Sequence, residues 1–281
     1  MGLSTLVDPI FRVPFLVGLL LAFIVPPLGC YIRLRDEWLA ALALSQMAAA
    51  GALIAGMVGL PPLVGAFGIA GMAAVFKGRL SRAGNDLYAF GISAGWAAVL
   101  LAAANITHGD EISHGLTDGQ LYFATGGHLV GASLLLVVAA VALATSSRRL
   151  LVARLMPERY TANQAPVWPL NMLFDLLVAA AIAVTTMAIG VIGTFTLVFV
   201  PASLVFRVAS GWRRAIVFSA VVGLASYVPA FAGAILLDQP FGPVFVAALL
   251  LVGGFVVVGH RVMPHRPVAS PGAGLSTASG R

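Results

Sequence analysis

The chain has 281 residues, of which 60% are hydrophobic and only 9% are charged, and its mean hydropathy is +1.01. These values exclude an ordinary soluble domain of this length and indicate that most of the chain lies in lipid. The single cysteine, Cys30, excludes an intramolecular disulfide.

Apolar stretches of about 20 residues, the length that a membrane-spanning helix needs, recur along the chain. In chain order they are 11–32, 38–58, 86–105, 119–145, 168–188, 213–236 and 241–260. Two shorter runs, 61–76 and 190–206, can cross or re-enter, and Gly190 and Gly193 would allow a break in the second. We therefore predict an all-α polytopic membrane protein with about eight or nine transmembrane helices, including a broken or re-entrant helix. We further predict that residues 1–262 form a single transmembrane domain and that 263–281, rich in Pro, Gly and Ser, form a disordered cytoplasmic tail.

The basic residues lie in alternate gaps between these stretches, which predicts an orientation. All Lys and Arg except Arg12 fall in one set of gaps: Arg33, Arg35, Lys77, Arg79, Arg82, Arg148, Arg149, Arg154, Arg159, Arg207, Arg213, Arg214, Arg261, Arg266 and Arg281. The opposite gaps hold Asp8, Asp110, Glu111, Asp118 and Asp238. The positive-inside rule places the basic gaps and the C-terminus in the cytoplasm. Because the basic residues flank spans and form no patch with interleaved aromatics, the net charge of +6 does not indicate nucleic-acid binding.

The densest group of metal-binding residue types lies in the outer gap 105–119. It consists of His108, Asp110, Glu111, His114 and Asp118. Imidazole and carboxylate ligands together suit zinc or manganese. We predict a flexible outer loop that receives a metal ion, because its glycines loosen the backbone. The alternative is an acidic surface loop in which two histidines occur by chance.

Two ionisable residues lie inside predicted spans, where a charge is costly unless it faces the bundle or a water-filled path. His128 lies about ten residues in from the outer face and is either part of a metal route or a histidine satisfied by its neighbours. Asp175 lies about two turns in from the cytoplasmic face and is either a second stop on that route or a helix-fixing hydrogen-bond acceptor.

Several motifs follow one another in an order that resembles a known family. The first span ends in PLGCYIRLRD, the Ala-rich second span contains Ser45, and Pro157-Glu158 begins a short amphipathic helix. Asp175 and then VTTMAIGVIGTFTLVFVPASLVFR, residues 184–207, come next. Over roughly 13–262 this order resembles the permease subunits of ATP-binding-cassette (ABC) importers for zinc, manganese and iron.

The resemblance implies a permease domain without catalytic residues or a cofactor of its own. Its partners would be a cytoplasmic ABC ATPase that binds the ATP, an extracytoplasmic metal-binding protein and a second copy of the permease, in the inner (plasma) membrane. Pro201, Ser203 and Arg207 would couple to the ATPase, with Pro157 and Glu158 as a second contact. The absence of a GxxxxGK[ST] motif agrees with hydrolysis by the partner. Zinc is the favoured cargo because the histidine pair suits a borderline metal, with manganese and iron as alternatives.

The chain departs from this family in the second span. Members carry an Asp and a His four residues apart there as metal ligands, and the corresponding positions here hold Leu42 and Gln46. Leu42 offers no ligand atom, and the amide of Gln46 is a poor zinc ligand. Either the ion is bound more loosely in transit, or its ligands lie elsewhere, or the cargo is not a bare divalent metal. We name Ser45, Gln46, His128 and Asp175 as candidates for lining the path.

Three other functions remain open from the sequence. A proton-coupled secondary transporter is disfavoured by the scarcity of charge in the spans, and a membrane-embedded enzyme by the glycine-rich loop, which would preorganise a site poorly. A membrane scaffold that transports nothing is the third.

Overall fold

The computed structural model of the chain describes residues 8–79, 85–107, 109–119, 121–156, 158 and 168–262. For residues 260–262 it describes the backbone alone. Ten α-helices have both bounds within this part of the chain. They are α1 (Arg12–Leu34), α2 (Trp38–Met57), α3 (Pro62–Arg79), α4 (Asn85–Ala103), α5 (Gly109–Asp118), α6 (Gly126–Leu155), α7 (Trp168–Ile189), α8 (Val191–Val208), α9 (Trp212–Leu236) and α10 (Phe241–Val262). Short 3₁₀ helices at Pro9–Phe11 and Leu121–Phe123 precede α1 and α6.

Eight of these helices are long and apolar enough to cross a bilayer: α1, α2, α4, α6, α7, α8, α9 and α10. The predicted class, an all-α polytopic membrane protein, is confirmed. The helix predicted at 119–145 is displaced, since α6 begins at Gly126 and continues to Leu155. Arg148, Arg149 and Arg154 therefore extend from a helix rather than from a loop.

The eighteen-residue helix α3 also runs from one end of the bundle to the other, although Lys77 and Arg79 in its last turn lower its hydropathy. It packs along α2. Lys77 Nζ lies 2.6 Å from Oε2 of Glu37, which directly precedes α2. Because α3 starts beside the far end of α2, this ion pair makes the two helices antiparallel, so that α3 returns the chain to the side of Arg35.

The two ends of the bundle differ in charge. One end, called the basic end below, carries Arg33, Arg35, Lys77, Arg79, Arg148, Arg149, Arg154, Arg207, Arg213 and Arg214. The other, the acidic end, carries Asp8, Asp110, Glu111, Asp118 and Asp238 together with Arg12. The segregation expected from the sequence is therefore present in the folded chain. The predicted tail, 263–281, lies outside the described residues, and the single-domain assignment of 1–262 stays a prediction.

The helices differ widely in burial. Of the eight candidate spans, α1, α2 and α7 are the most buried and α6 is the least. The Ala and Gly side chains of α2 allow it to pack closely against α3 and α4. On α6, Val130, Leu134 and Val141 are exposed, as expected for a helix face that contacts lipid acyl chains.

An aromatic cluster holds the acidic end together. Its members come from α1, α9, α10 and the two 3₁₀ helices: Phe11, Phe15, Tyr122, Tyr227, Phe231, Phe241 and Phe245. The fully buried Tyr227 donates its hydroxyl proton to the carbonyl oxygen of Phe15 at 3.0 Å. Buried rings with a satisfied polar atom fix the relative positions of these elements.

A single residue, Gly190, separates α7 from α8. Its φ of +86° lies in the region that favours glycine. The chain passes so closely that a Cβ at Gly190 would lie 2.5 Å from Gly119 N and 2.6 Å from Thr117 O, at the end of α5. Beyond the break, α8 continues without interruption to the basic end, where Phe206 contacts Trp212. The sequence left open whether 190–206 crosses or re-enters, and the structure favours a crossing helix that follows a break at Gly190.

Replacing Gly190 with Ala should destabilise the protein, since the new Cβ would face both a positive φ and backbone atoms. Strain of this kind and overpacking each cost about 1–3 kcal/mol. Thermal denaturation in detergent should show a lower midpoint for Gly190→Ala. Gly68→Ala is the matched control, because a Cβ there meets nothing within 4 Å. Equal midpoints for the two variants would contradict the close contact between α5 and the α7–α8 break.

Candidate transport site

The outer segment predicted to be a loose loop is largely an α-helix. Residues Gly109–Asp118 form α5, which buries Gly109, Ser113 and Leu116. Ser113 and Thr117 also donate hydrogen bonds to carbonyls of the same segment, at 2.9 Å each. The expectation that glycines loosen this segment is therefore wrong, because Gly109 allows α5 to approach the carbonyl of Ala103 closely.

The helical geometry of α5 decides which predicted metal ligands can meet. Asp110, His114 and Asp118 follow one another at four-residue intervals and are all exposed, so they form one stripe. The stripe is about 12 Å long, which is too far for all three side chains to reach one ion. Among the described residues, no three His, Cys, Asp or Glu side chains are close enough to hold a metal ion. Glu111 is exposed beside this stripe, and His108 lies outside the described residues.

His128 lies at the acidic end, not deep in a span as predicted, because α6 starts only two residues before it. The backbone N–H of Thr125 donates to His128 Nδ1 at 3.2 Å, as part of a capping box. Nδ1 must be unprotonated to accept this bond, so the proton of the neutral ring is on Nε2. Metal binding through Nε2 would require that proton to move to Nδ1, which would break the cap. The geometry favours the alternative of a histidine satisfied by its neighbours.

A cavity of about 370 Å³ lies beside His128, between α2, α5, α6 and α7. Its lining is mostly apolar and includes Leu53, Ile112, Phe123 and Met187. Within the described part of the chain, one imidazole and one thioether lie at its wall, so these residues offer an ion few ligands. It is large enough for an ion that keeps part of its hydration shell.

The path candidates on α2 point in two directions. Ser45 is fully buried and donates its hydroxyl proton to the carbonyl of Ala41 at 2.8 Å. Gln46 is half-buried and faces α4, where a Cβ at Gly95 would lie 2.8 Å from the Cβ of Gln46. Leu42 is half-buried and packs against the main core. Ser45 therefore bonds within its own helix, and Gln46 lies where α2 and α4 pack closely.

Asp175 is buried and is the centre of an ion cluster at the basic end, whose other members are half-buried. Its carboxylate accepts from Arg35 Nη1 at 2.7 Å and from Lys77 Nζ at 2.9 Å. Glu37 completes the cluster, with Oε2 at 2.6 Å from Lys77 Nζ and 3.4 Å from Arg35 Nε. Two cations and two carboxylates neutralise one another and join α1, α3 and α7 to the start of α2. The geometry favours the structural alternative for Asp175, that of a helix-fixing acceptor.

The partners of Asp175, Arg35 and Lys77, were not among the predicted site residues. A signal was present, since an Asp inside a span needs a nearby cation, and Arg35 and Lys77 lie in predicted gaps at the same membrane face. What the sequence could not show was which of the fifteen bases at that face would meet it, because α1 and α3 are distant from α7 in the chain.

The residues predicted to couple to an ATPase lie towards the basic end, on α8 and beyond α6. Pro201 is buried in α8, whereas Arg207 in its last turn is exposed. Ser203 Oγ is buried and, within the described residues, has no hydrogen-bond partner. Glu158 is helical and exposed, while Pro157 lies outside the described residues.

Comparisons with known proteins agree with this architecture. The model of the ABC 3 transport family matches residues 8–258, and the chain belongs to that family. Its fold is similar to PsaBC from Streptococcus pneumoniae in complex with Fab, with a TM-score of 0.78 and 15% identity over 89% of this chain and 91% of that one. It is also similar to a metal-chelate type ABC transporter in an inward-facing conformation, with a TM-score of 0.65 and 16% identity over 88% of this chain and 85% of that one. No curated protein sequence matches significantly.

Substitutions at His128 separate its capping role from a role in metal binding. His128→Ala should lower stability by about 1 kcal/mol, because the backbone N–H of Thr125 loses its acceptor. His128→Gln should keep stability, since Gln at this position completes a capping box. It should also keep transport if the ring does not bind the ion, because Gln is a poor substitute for imidazole as a zinc ligand. Melting and metal uptake would be measured on both variants. Loss of uptake in a normally stable His128→Gln variant would show that the ring binds the ion.

Asp175→Asn should be strongly destabilising, because it leaves two half-buried cations with one carboxylate. Breaking a buried ion pair costs about 3–5 kcal/mol. Asp36→Asn is the matched control, since its side chain is 79% exposed and lies 3.9 Å from Arg33 at the same end. Asn also tolerates the positive φ of 59° at that position. Thermal denaturation in detergent should separate the two variants clearly, and similar midpoints would argue against the cluster.

Proposed function

We propose that this chain is the transmembrane permease subunit of an ABC importer that moves a divalent transition metal ion, zinc above all, across the inner (plasma) membrane. The observation that carries the proposal is that the model of the ABC 3 transport family matches residues 8–258. The eight candidate spans also form a bundle, and two copies of it could enclose a path between them. The similarity in fold to a metal-chelate type transporter supports a metal-containing cargo.

The acidic end supports a role in receiving the ion. Asp110, His114 and Asp118 are presented on one exposed face of α5, which is held firmly against the break between α7 and α8. Adjacent pairs on this stripe could each contribute two ligands, and a delivery protein could supply the others. A site completed in this way binds an ion only in transit, which suits a transporter. His108, one residue before α5, would add a second imidazole.

Zinc is the proposed cargo because imidazole nitrogen is a preferred ligand of this borderline metal. Carboxylates alone would favour manganese, and the same stripe contains both ligand types. Manganese and iron are therefore the alternatives, and competition between the three ions decides among them.

The basic end supports docking of an ATPase. The exposed Arg207 at the end of α8 and Glu158 beyond α6 both lie at this end, next to Arg213 and Arg214 at the start of α9. The positive-inside rule places these residues and the C-terminus in the cytoplasm, where ATP is available. Movement transmitted through α8 would reach Gly190 and α5, because α8 crosses the bundle as one helix. Hydrolysis would be the work of the partner, and this chain would perform alternating access.

The proposal is tested by metal uptake into vesicles that contain this chain, its cytoplasmic ATPase and its delivery protein. We expect ATP-dependent uptake of zinc in preference to manganese and iron. A variant with both His108→Ala and His114→Ala should take up zinc roughly tenfold more slowly at limiting zinc, the effect of losing about 1.4 kcal/mol of binding. Asp238→Asn, which removes an acidic-end charge outside α5, is the control. Preferred uptake of manganese or iron would reassign the cargo, and no metal uptake would refute the proposal.

A proton-coupled secondary transporter is distinguished in the same vesicles. Uptake should persist when an uncoupler collapses the proton gradient and should stop when ATP is removed. The opposite pattern would favour proton coupling. Among the described residues the charges inside the bundle are neutralised within the Asp175 cluster, which leaves little for a proton relay.

A further inference from the structure

A second cavity, of about 230 Å³, lies at the basic end and takes no part in the proposed path. It is bounded by the turn between α1 and α2, the last turns of α6 and the start of α7. Its polar lining consists of Tyr31, Arg35, Glu37, Arg154 and Asn171. Charged and amide side chains gathered at one end of an apolar bundle create a place for a charged group at the membrane surface.

Among the described residues, the charges of the lining and of the adjoining Asp175 cluster sum to a single positive one. Arg35 and Lys77 are balanced by Glu37 and Asp175, so Arg154 contributes the excess. The Nε–H of Arg154 donates to the carbonyl of Leu34 at 3.2 Å, which orients the guanidinium. Within the described residues, no hydrogen bond of its two Nη groups is recorded, so they are available to a ligand there. A guanidinium fork fits phosphate oxygens better than an ammonium does, and Asn171 adds an amide donor.

The one carboxylate in the lining offers little to a cationic ligand. Glu37 Oε2 already accepts from Lys77 Nζ at 2.6 Å and lies 3.4 Å from Arg35 Nε. An ammonium group in the cavity would therefore compete with two bound cations. The lining favours an anion that carries no compensating positive charge of its own.

An apolar groove continues from this cavity between α6 and α7. Leu150 and Phe174 line both, and the groove extends along Ala142, Leu143 and Ser146 on one side and Leu170, Leu173 and Leu177 on the other. From Arg154 to Ala142 the helix rises about 18 Å, a length comparable with one leaflet of the hydrocarbon core, about half of 30 Å. The groove is shallow, with a volume of about 10 Å³, so an acyl chain would lie on its surface rather than inside it. It lies beside the exposed apolar face of α6.

We propose that this cavity and groove bind one anionic phospholipid. The phosphate occupies the cavity at Arg154 and Asn171, and one acyl chain lies along the groove between α6 and α7. Basic pockets between transmembrane helices are suited to anionic headgroups, which are concentrated in the cytoplasmic leaflet. A bound lipid would also cover the edge of the Asp175 cluster. The proposal rests on the basic end facing the cytoplasm but not on the identity of the cargo.

The headgroup is tested by native mass spectrometry of the full chain in detergent, titrated with phosphatidylglycerol or phosphatidylethanolamine. We expect phosphatidylglycerol to bind at least fivefold more tightly. Arg154→Ala should weaken phosphatidylglycerol binding about fivefold, the effect of one Arg near an anionic surface, and Arg154→Lys should weaken it less. Arg213→Ala, an exposed Arg at the same end but outside the cavity, should bind like the wild type. Equal loss in both Ala variants would overturn the site as non-specific charge.

The acyl chain is tested by filling the groove. Ser146→Phe adds a ring within the groove, whereas Thr145→Phe adds the same ring on the exposed face of the same helix. Only Ser146→Phe should weaken phosphatidylglycerol binding, with both variants melting like the wild type. If Ser146→Phe has no effect and inorganic phosphate displaces the lipid, the cavity is a site for free anions and the lipid proposal fails. Equal binding of the two lipids also refutes it.

Discussion

The cost of placing charge in an apolar bundle is the constraint on which the rest of this structure depends. Asp175 is buried in α7, and it is tolerated because Arg35 and Lys77 reach it from α1 and α3 while Glu37 balances the second cation. Four side chains from distant parts of the sequence thus neutralise one another at one place. The cluster fixes the direction of α3 and joins α1 and α3 to α7 at the basic end. Because its own charges cancel, Arg154 provides the unbalanced positive charge of the neighbouring cavity.

The two ends of the bundle then serve different purposes. At the acidic end, α5 rests on the break at Gly190 and presents Asp110 and His114 outward. At the basic end, α8 delivers the exposed Arg207 to the surface that an ATPase would contact. Because α8 is continuous between them, movement at one end can be transmitted to the other. The membership of the ABC 3 transport family gives this arrangement its proposed meaning as an importer driven from the cytoplasm.

Much of the fold was predictable because hydropathy and charge are one-dimensional signals: the spans and the segregated ends follow directly from them. The errors arose where three-dimensional contacts decide. The outer segment after Asn105 is polar and glycine-rich, yet Gly109 permits close packing and α5 forms. His128 looked deep because apolar residues precede it, but the cap at Thr125 starts α6 there. Which cations meet Asp175 depends on how α1, α3 and α7 pack, and no local pattern records that.

The most direct test of the central claim, that this chain couples metal delivery to a partner ATPase, is the rate of ATP hydrolysis by the complex reconstituted in lipid nanodiscs. The complex contains this chain and its cytoplasmic ATPase, and the delivery protein is added either loaded with zinc or free of metal. The zinc-loaded protein should stimulate hydrolysis several-fold over the metal-free one, and only when this chain is present. Equal rates with the two forms, or stimulation of the ATPase alone, would contradict the central claim.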